Sequence, residues 1–230
     1  MTANNSPNSL LDPAVSRVLA GLYEASLEDS KIVGRALASV AGRPDAPTLA
    51  ESVDLCAEAL LPVQPTVGKL LYLLVRSLRP TTVVEFGTSY GISMIHLAAG
   101  LRDNGCGRVI GTELSGHKVR QARKNLAEVG LADITEIREG DARETLADLP
   151  GPIDLVLLDG WKDLCLPVLE LLEPRMRPGT VVIADNLPMM PQEYLDRVRV
   201  GDTYISMDLA IGEGIEISTR ITPGPCAPGR

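Results

Sequence analysis

Two apolar runs in the sequence each end at an acidic residue, and together these acids could hold a metal ion. The run IDLVLL precedes Asp159, and the run GTVVIA precedes Asp185 and Asn186. The two acids are 26 residues apart, the length of one strand–helix–strand unit. Adjacent parallel strands would therefore bring them to about 5 Å. Two carboxylates and an amide oxygen favour Mg²⁺ and leave about three coordination positions for water and substrate. Either acid alone could instead cap the following helix.

Lys162 follows Asp159 by three residues, at the predicted start of a helix. A positive charge at a helix N-terminus interacts unfavourably with the helix dipole, which suggests a chemical use for this lysine. A solvated surface lysine is the alternative. The two histidines, His96 and His117, fall within predicted helices away from the acid pair. We expect His96 to be packed against its helix and His117 to be solvated.

A glycine-rich turn joins the first predicted strand to a helix, in the segment VVEFGTSYGIS. Gly87 and Gly91 in such a turn present backbone N–H groups and a helix N-terminus to an anionic or carboxylate-bearing ligand. Glu85 precedes the turn, and Glu113 ends the second strand 26 residues after Gly87. A carboxylate there can hold two ribose hydroxyls. A tight turn that needs positive φ would by itself also explain the glycines.

The expected ligand carries a ribose but no phosphate, because the turn lacks the second glycine of dinucleotide-binding loops. S-adenosylmethionine fits this pattern, with its ribose at Glu113 and its amino-acid head at the turn and the Ser93 hydroxyl. Its adenine would reach the end of the third strand, where Asp141 and the N–H of Ala142 lie in the segment GDAR. A solvated acidic loop is the alternative interpretation of Asp141.

Strands that alternate with helices would position these residues. Short β-rich runs are predicted at 82–86, 108–112, 134–138, 153–158 and 180–184. Helices are predicted between and after them, near 91–102, 116–129, 143–148 and 162–174. This alternation predicts a parallel sheet covered by helices on both faces. A further helix near 192–200 precedes two runs separated by 210–213, a spacing that predicts an antiparallel hairpin at the end of the sheet.

The first third of the chain is predicted to be helical. Residues 12–40 place apolar side chains at helical spacing after the cap Asp12 and Pro13, as one helix or two. A second apolar helix is predicted to end near Leu61, and another covers Thr66 to Leu78. We predict one domain, with a helical cover over 1–79, an α/β core over 80–222 and a mobile Pro- and Gly-rich tail over 223–230.

The composition excludes several classes of protein. The chain has 230 residues, is 45% hydrophobic and can bury a core, while its net charge of −8 disfavours nucleic acid and anionic membranes as partners. No apolar run approaches the roughly 18 residues of a membrane-spanning helix, and no signal peptide is predicted. The four scattered cysteines are typical of reduced thiols. We predict a cytoplasmic protein with a small-molecule partner; a homodimer is compatible with the sequence.

Four segments resemble the S-adenosylmethionine-dependent O-methyltransferases of the catechol and caffeoyl-CoA type. They are EFGTSYGIS, the TE ending at Glu113, DGWKDLCLPVLELLEP and GTVVIADN, within about residues 60–190. The resemblance implies a doubly wound, Rossmann-like α/β fold whose seven-stranded, mostly parallel sheet has its last strand antiparallel, plus the helical cover. It makes Lys162 the general base. Its cofactor residues are Val63, Glu85, Gly87, Ser89, Gly91, Ser93, Glu113, Asp141, Ala142, Asp159 and Trp161, and its Mg²⁺ ligands are Asp159, Asp185 and Asn186.

The implied reaction is methyl transfer from S-adenosylmethionine to a hydroxyl of a small catechol-like or vicinal-dioxygen acceptor. Mg²⁺ would chelate both oxygens and acidify the hydroxyl, and Lys162 would take the proton. Three positions depart from the family pattern: Gly160 replaces a histidine that packs on adenine, Ser89 replaces a tyrosine, and the acid that orients the second hydroxyl has no clear counterpart, Asp208 being the nearest candidate. The alternatives are a metal-independent N- or carboxyl-methyltransferase and a non-catalytic S-adenosylmethionine-binding protein; a dinucleotide oxidoreductase is disfavoured.

Overall fold

The computed structural model describes residues 8–222 and consists of nine α-helices and seven β-strands in that part of the chain. The helices are α1 (Pro13–Ala25), α2 (Asp29–Val40), α3 (Leu49–Leu55), α4 (Pro65–Leu78), α5 (Ile92–Asn104), α6 (Gly116–Glu128), α7 (Ala142–Thr145), α8 (Cys165–Leu172) and α9 (Gln192–Arg199). The strands are β1 (Thr82–Phe86), β2 (Arg108–Glu113), β3 (Thr135–Glu139), β4 (Ile153–Leu158), β5 (Met176–Asp185), β6 (Tyr204–Leu209) and β7 (Ile215–Arg220). The predicted mobile tail, 223–230, lies outside the described residues.

The seven strands form one sheet in the order β3-β2-β1-β4-β5-β7-β6. Strands β1 to β5 are parallel, and β7 runs antiparallel to both β5 and β6. The predicted seven-stranded, mostly parallel sheet with its antiparallel last strand is therefore confirmed. The strand order reverses between β1 and β4, and in open α/β sheets ligands bind at the carboxyl ends of the strands beside such a reversal.

Helices bury both faces of the sheet, which explains why its central strands are apolar throughout rather than alternating. Val83, Leu155 and Leu157 point into a core shared with α1, α4, α5 and α6. Val84 and Val156, on the opposite face, pack with α7, α8 and α9. All six residues of β4 are buried. The site at its carboxyl end consequently stands on a rigid strand.

The helix predicted to end near Leu61 ends six residues earlier, at Leu55. The chain beyond it turns instead, and Leu61 has a φ of +46° that no helix contains. Two backbone N–H groups in this turn bind the carboxylate of Asp29 in α2. Tertiary hydrogen bonds therefore replace the helical ones that the apolar pattern predicted.

Two predictions drawn from composition can be checked within residues 8–222. Cys56, Cys106 and Cys165 are free thiols, as predicted. None of the helices in this part of the chain has the length and apolarity required to cross a bilayer. The predicted acid pair and the glycine-rich turn follow parallel strands and therefore lie at the same edge of the sheet.

Candidate active site

The glycine-rich turn after β1 passes the end of β4 at very close range. Gly87 has a φ of +93°, and a Cβ atom there would lie 2.5 Å from the Cα atom of Gly160. Gly160 in turn faces the ring of Phe86, whose nearest carbon would lie 2.5 Å from a Cβ at residue 160. Close packing therefore requires both glycines. The ring of Phe86 fills the space that a side chain at residue 160 would need, which accounts for one departure from the family pattern.

Ser89 connects the turn to both sides of the site. Its φ is +47°, and its N–H donates to Oε2 of Glu113 at 2.8 Å. Its hydroxyl donates to the carbonyl oxygen of Leu60 at 2.6 Å. The other oxygen of Glu113 accepts the N–H of Ser115 at 2.9 Å. Each carboxylate oxygen retains a second lone pair, so Glu113 is held in orientation and can still accept a ligand hydroxyl.

A narrow cleft separates the turn from the chain between α3 and α4. Among the predicted cofactor residues, Val63, Gly87, Ser89, Ser93 and Asp159 line it. The remaining lining residues, which the sequence analysis did not identify, are Leu60, Leu61, Pro62, Thr88, Tyr90 and Ile92. Most of these residues are apolar and carry no chemical signature in the sequence.

Glu85 is completely buried, and neither of its carboxylate oxygens has a hydrogen-bond partner within residues 8–222. Burial raises the pKa of Glu85 to about 7. The hydroxyls of Ser93 and Thr88 lower this pKa, and the charges of Asp159 and Glu113 raise it. Because these hydroxyls make no hydrogen bond of normal geometry with the carboxylate, an ionised Glu85 is costly in such a place. The site therefore fits a ligand that brings an ammonium group, as the methionine end of S-adenosylmethionine does.

Asp159, Lys162 and Asp185 meet where β4 and β5 end side by side. The Nζ atom of Lys162 lies 3.2 Å from Oδ1 of Asp159 and donates to the main-chain oxygen of Asp185 at 3.1 Å. Burial raises the pKa of both acids. The charge of Lys162 lowers the pKa of Asp159, and that of Asp185 raises it. The predicted acid pair and lysine are thus brought together at one edge of the sheet.

The donor set at this edge fits a hard cation. Oδ1 of Asp185 is buried and has no hydrogen-bond partner within the described chain. The amide nitrogen of Asn186 donates to Glu213 in a long hydrogen bond of 3.5 Å, an arrangement in which the amide oxygen is not the bonded atom. Oxygen atoms of this kind are those that Mg²⁺ prefers. Within residues 8–222, no three or more His, Cys, Asp or Glu side chains form a metal-binding cluster. A metal ion at this edge would therefore be bound by two carboxylates and an amide, with water or substrate as its other ligands.

Glu213, rather than Asp208, is the acid that the last hairpin brings to this edge. Glu213 lies in the turn between β6 and β7, and its charge raises the pKa of Asp185. Asp208 is exposed on β6, and its charge acts on Arg199. A role for Glu213 was not predicted from the sequence because the turn that carries it has no distinctive pattern.

The predicted adenine end of the site includes Asp141, Ala142 and Trp161. Asp141 caps α7 by accepting the N–H of Arg143 at 2.9 Å, and it also pairs with that residue's guanidinium. Ala142 is 2% exposed and packs against the sheet, while the carbonyl of Trp161 accepts the N–H of Leu164. Gly91 packs on α6 rather than lining the cleft. The assignment of these residues to the cofactor stays a prediction.

The two histidines lie outside the site. His96 is 4% exposed and its Nδ1 atom lies 2.9 Å from the carbonyl oxygen of Ile92, which confirms a packed helix residue. His117, predicted to be solvated, is only partly so. Its side chain is 32% exposed, and its Nε2 atom lies 3.1 Å from the hydroxyl of Tyr90.

Comparison with known proteins identifies the family. A family model described as a methyltransferase domain matches residues 84–187. The chain is 33% identical over 158 residues to the catechol O-methyltransferase of Niastella koreensis, an alignment that spans 66% of this chain and 70% of that protein. It is 35% identical over 147 residues to the catechol O-methyltransferase of Mycobacterium tuberculosis, spanning 62% of this chain and 66% of that protein. The chain belongs to the catechol O-methyltransferase family.

Solved structures of other O-methyltransferases share the fold of this family member. The Bacillus cereus O-methyltransferase, in complex with S-adenosylhomocysteine, is 26% identical with a TM-score of 0.62, over 86% of this chain and 99% of that chain. The O-methyltransferase TomG of tomaymycin synthesis from Streptomyces achromogenes, in complex with S-adenosylmethionine, is 28% identical with a TM-score of 0.62, over 70% of this chain and 82% of that chain. This catechol-type family member is an S-adenosylmethionine-dependent O-methyltransferase.

Proposed function

We propose that this methyltransferase transfers the methyl group of S-adenosylmethionine to one hydroxyl of a small catechol-like or vicinal-dioxygen acceptor, with Mg²⁺ as its metal. The observation that carries the proposal is the buried, unpartnered Oδ1 of Asp185 beside Lys162, at the end of the strand adjacent to Asp159. An acceptor with two neighbouring oxygens suits an ion that the protein holds through few ligands. The names of the two catechol O-methyltransferase relatives support the same acceptor class.

The cofactor would lie across the turn after β1. Glu85, buried and without a hydrogen bond of normal geometry within residues 8–222, would accept the ammonium of the methionine end. Glu113, oriented by the N–H groups of Ser89 and Ser115, would accept the ribose hydroxyls. Asp159 lines the same cleft, so the cofactor would lie beside the end of β4.

Asp159, Asp185 and Asn186 would hold the metal, and bound Mg²⁺ would act as a Lewis acid that acidifies the acceptor hydroxyl. The proton of that hydroxyl would pass to Nζ of Lys162. Two contacts orient this amine, one to the carboxylate of Asp159 and one to the main chain of Asp185. An amine that accepts this proton must be neutral, so the carboxylate of Asp159 would bind the metal rather than pair with Lys162.

A metal-independent methyltransferase of the same fold is the second candidate function. The ion pair between Lys162 and Asp159, at 3.2 Å, already neutralises one of the two acids without a metal ion. In that case Asp185 and Asn186 would bind the acceptor directly. An N- or carboxyl-acceptor would fit this arrangement because it needs no chelation.

The decisive experiment follows methyl transfer from labelled S-adenosylmethionine to catechol and to resorcinol. The two acceptors contain the same groups, but only catechol places its hydroxyls on neighbouring carbons. We expect catechol to be methylated, resorcinol to react at least about 10²-fold more slowly, and EDTA to abolish turnover until Mg²⁺ is restored. Turnover that resists EDTA would favour the metal-independent enzyme. Cofactor binding without turnover on a broad acceptor panel would indicate a non-catalytic protein.

We also propose a cytoplasmic location and a small-molecule acceptor, with no nucleic acid or membrane partner. The net charge of −8 supports this because it opposes binding to phosphate-rich surfaces. Whether the protein is a homodimer can be measured by light scattering.

A further inference from the structure

Asp29 in α2 is a buried carboxylate, 8% exposed, bound to two successive backbone amides. Its Oδ1 atom accepts the N–H of Leu60 at 2.8 Å, and its Oδ2 atom accepts the N–H of Leu61 at 2.7 Å. Leu61 has a φ of +46°, a conformation that residues with a Cβ seldom adopt. The carboxylate therefore stabilises a turn that the chain would otherwise adopt at a cost in free energy.

The segment stabilised in this way, residues 60–63, forms one wall of the cofactor cleft and faces the glycine-rich turn. The hydroxyl of Ser89 donates to the carbonyl of Leu60, and the N–H of Ser89 donates to Glu113. A continuous path of hydrogen bonds thus joins Asp29 in the cover to the acid expected to bind ribose. Asp29 itself does not line the cleft.

Two walls line the cleft, and they differ in how firmly the fold holds them. The wall formed by residues 60–63 is a connecting segment without helix or strand structure, whereas the opposite wall follows the buried strand β1. Segment 60–63 is consequently the wall that can move aside to admit the cofactor and then close over it.

We propose that Asp29 is a positioning residue for the cofactor: it sets the conformation to which segment 60–63 returns when the cleft closes. The inference rests on the proposed cofactor site. Without the carboxylate, the two amides lose their acceptor and Leu61 loses the contact that offsets its strained backbone. The closed wall then becomes less populated, and apparent cofactor affinity falls in proportion.

The test compares S-adenosylmethionine binding, by calorimetry, in the wild type, Asp29→Asn and Asp54→Asn. Asparagine keeps the shape of Asp29, but its NH₂ group cannot accept a hydrogen bond. One of the two backbone N–H groups that the carboxylate binds therefore loses its acceptor. We expect a dissociation constant about tenfold higher, the change that corresponds to about 1.4 kcal/mol and to one lost hydrogen bond with a charged group. Asp54 is exposed on α3, in the same cover, and its substitution should change the constant less than twofold. An unchanged constant in Asp29→Asn overturns the proposal.

Kinetics separate positioning from a general structural role. The KM for S-adenosylmethionine should rise about tenfold in Asp29→Asn, while kcat at saturating cofactor stays within about twofold. A merely structural aspartate would lower the melting temperature and leave this KM unchanged, which also contradicts the proposal. The effects of Asp29→Asn and Ser89→Ala should be non-additive because both act through Leu60.

Hydrogen exchange on the wild type provides a measurement that needs no variant. Bound S-adenosylmethionine should slow exchange of the amides of Leu60 and Leu61, because it holds the segment closed. Exchange that is unaffected by bound cofactor would overturn the inference even if Asp29→Asn failed to fold. A wild type that does not bind S-adenosylmethionine would instead contradict the proposed cofactor site itself.

Discussion

Burial raises the pKa of the Glu85 carboxyl group to about 7. An acid whose pKa is higher in the folded than in the unfolded state destabilises the fold as pH rises, because the unfolded chain releases its proton first. For Glu85 this loss runs from about pH 4.5 to above pH 7. We expect Glu85→Gln to be more stable than the wild type at pH 8, by at most about 3 kcal/mol, and equally stable at pH 4. Thermal melting at both pH values, without cofactor, measures the difference.

Cofactor binding should show the opposite trend for the same carboxylate. The wild type should bind S-adenosylmethionine more tightly as pH rises through 7, because the ionised acid attracts the ammonium group. Glu85→Gln should bind weakly with no such rise. Glu24, exposed on α1, gives the matched control Glu24→Gln, which should follow the wild type in both measurements. A stability difference that persists at pH 4 would show that packing, rather than charge, is responsible.

Asp185→Asn distinguishes a metal ligand from a helix cap. As a ligand, Asp185 is required for the metal, so Mg²⁺-dependent turnover should fall below about 1% of the wild-type rate. The melting temperature of the metal-free protein should not fall, because the substitution removes a buried carboxylate whose Oδ1 has no partner. The control is Asp163→Asn, at an exposed acid near Lys162. If Asp185→Asn keeps its Mg²⁺-dependent rate, the metal assignment is wrong.

Lys162→Met keeps the length of the side chain and removes its titrating amine. We expect kcat to fall by about 10²–10⁴, the usual contribution of a general base, with S-adenosylmethionine binding retained. Catechols with a more acidic hydroxyl should be affected least, because they need no base to ionise. Lys124→Met, at an exposed lysine of α6, should leave the rate unchanged. An ordinary catechol that reacts at the wild-type rate in Lys162→Met would show that Lys162 is not the general base.

At the scale of elements, the turn after β1 requires glycine at residue 87 for two reasons, its positive φ and its close packing against Gly160. Gly87 and Gly179 have nearly the same φ, +93° and +92°, but a Cβ at Gly87 would lie 2.5 Å from Gly160, whereas nothing lies within 4 Å of one at Gly179. Gly179→Ala should therefore cost only the strain of positive φ, about 1 kcal/mol. Gly87→Ala should cost more and also abolish cofactor binding, because the turn must move. Equal melting temperatures and equal affinities in the two variants would contradict this account.

The hairpin of β6 and β7 is the element that brings an acid to the acceptor side of the site. A Cβ at Gly212 would lie 2.8 Å from Cγ2 of Val67, so the turn of the hairpin packs directly on α4. The carbonyl of Gly214 accepts the N–H of Leu187 at 2.9 Å, which ties the same turn to the chain after β5. These contacts fix the position of Glu213 beside Asn186. A flexible loop could not hold an acid at this edge.

At the scale of the whole molecule, the residues proposed to bind the cofactor come from the cover and from strands on both sides of the sheet reversal. A ligand that bridges them binds the folded chain alone and stabilises it by about 2.7 kcal/mol at a hundredfold excess over its dissociation constant. S-adenosylmethionine should therefore raise the melting temperature with or without EDTA, whereas EDTA should abolish turnover. A thermal shift that disappears with EDTA would mean that the metal also builds the cofactor site.

Much of this architecture could be predicted from the sequence because its signals are local. Strands β1 and β4 lie at the predicted residues, since an apolar run bounded by turns is a property of the run itself. The acids Asp159 and Asp185 were also predicted at the ends of adjacent strands. The length of one strand–helix–strand unit determines where the chain returns to the same edge of the sheet. Closely spaced glycines likewise indicated the turn.

Tertiary structure alone decided the end of α3, the wall of the cleft and the acid beside Asn186. Asp29 binds amides 31 and 32 residues away, and Glu213 reaches an amide 27 residues away. Such contacts depend on how helices and hairpins pack, and no pattern within one element encodes their distance. The apolar residues before Leu61 predicted a longer helix because an apolar pattern indicates which residues are buried. It does not indicate which backbone conformation buries them, and here the hydrogen bonds of Asp29 determined that conformation.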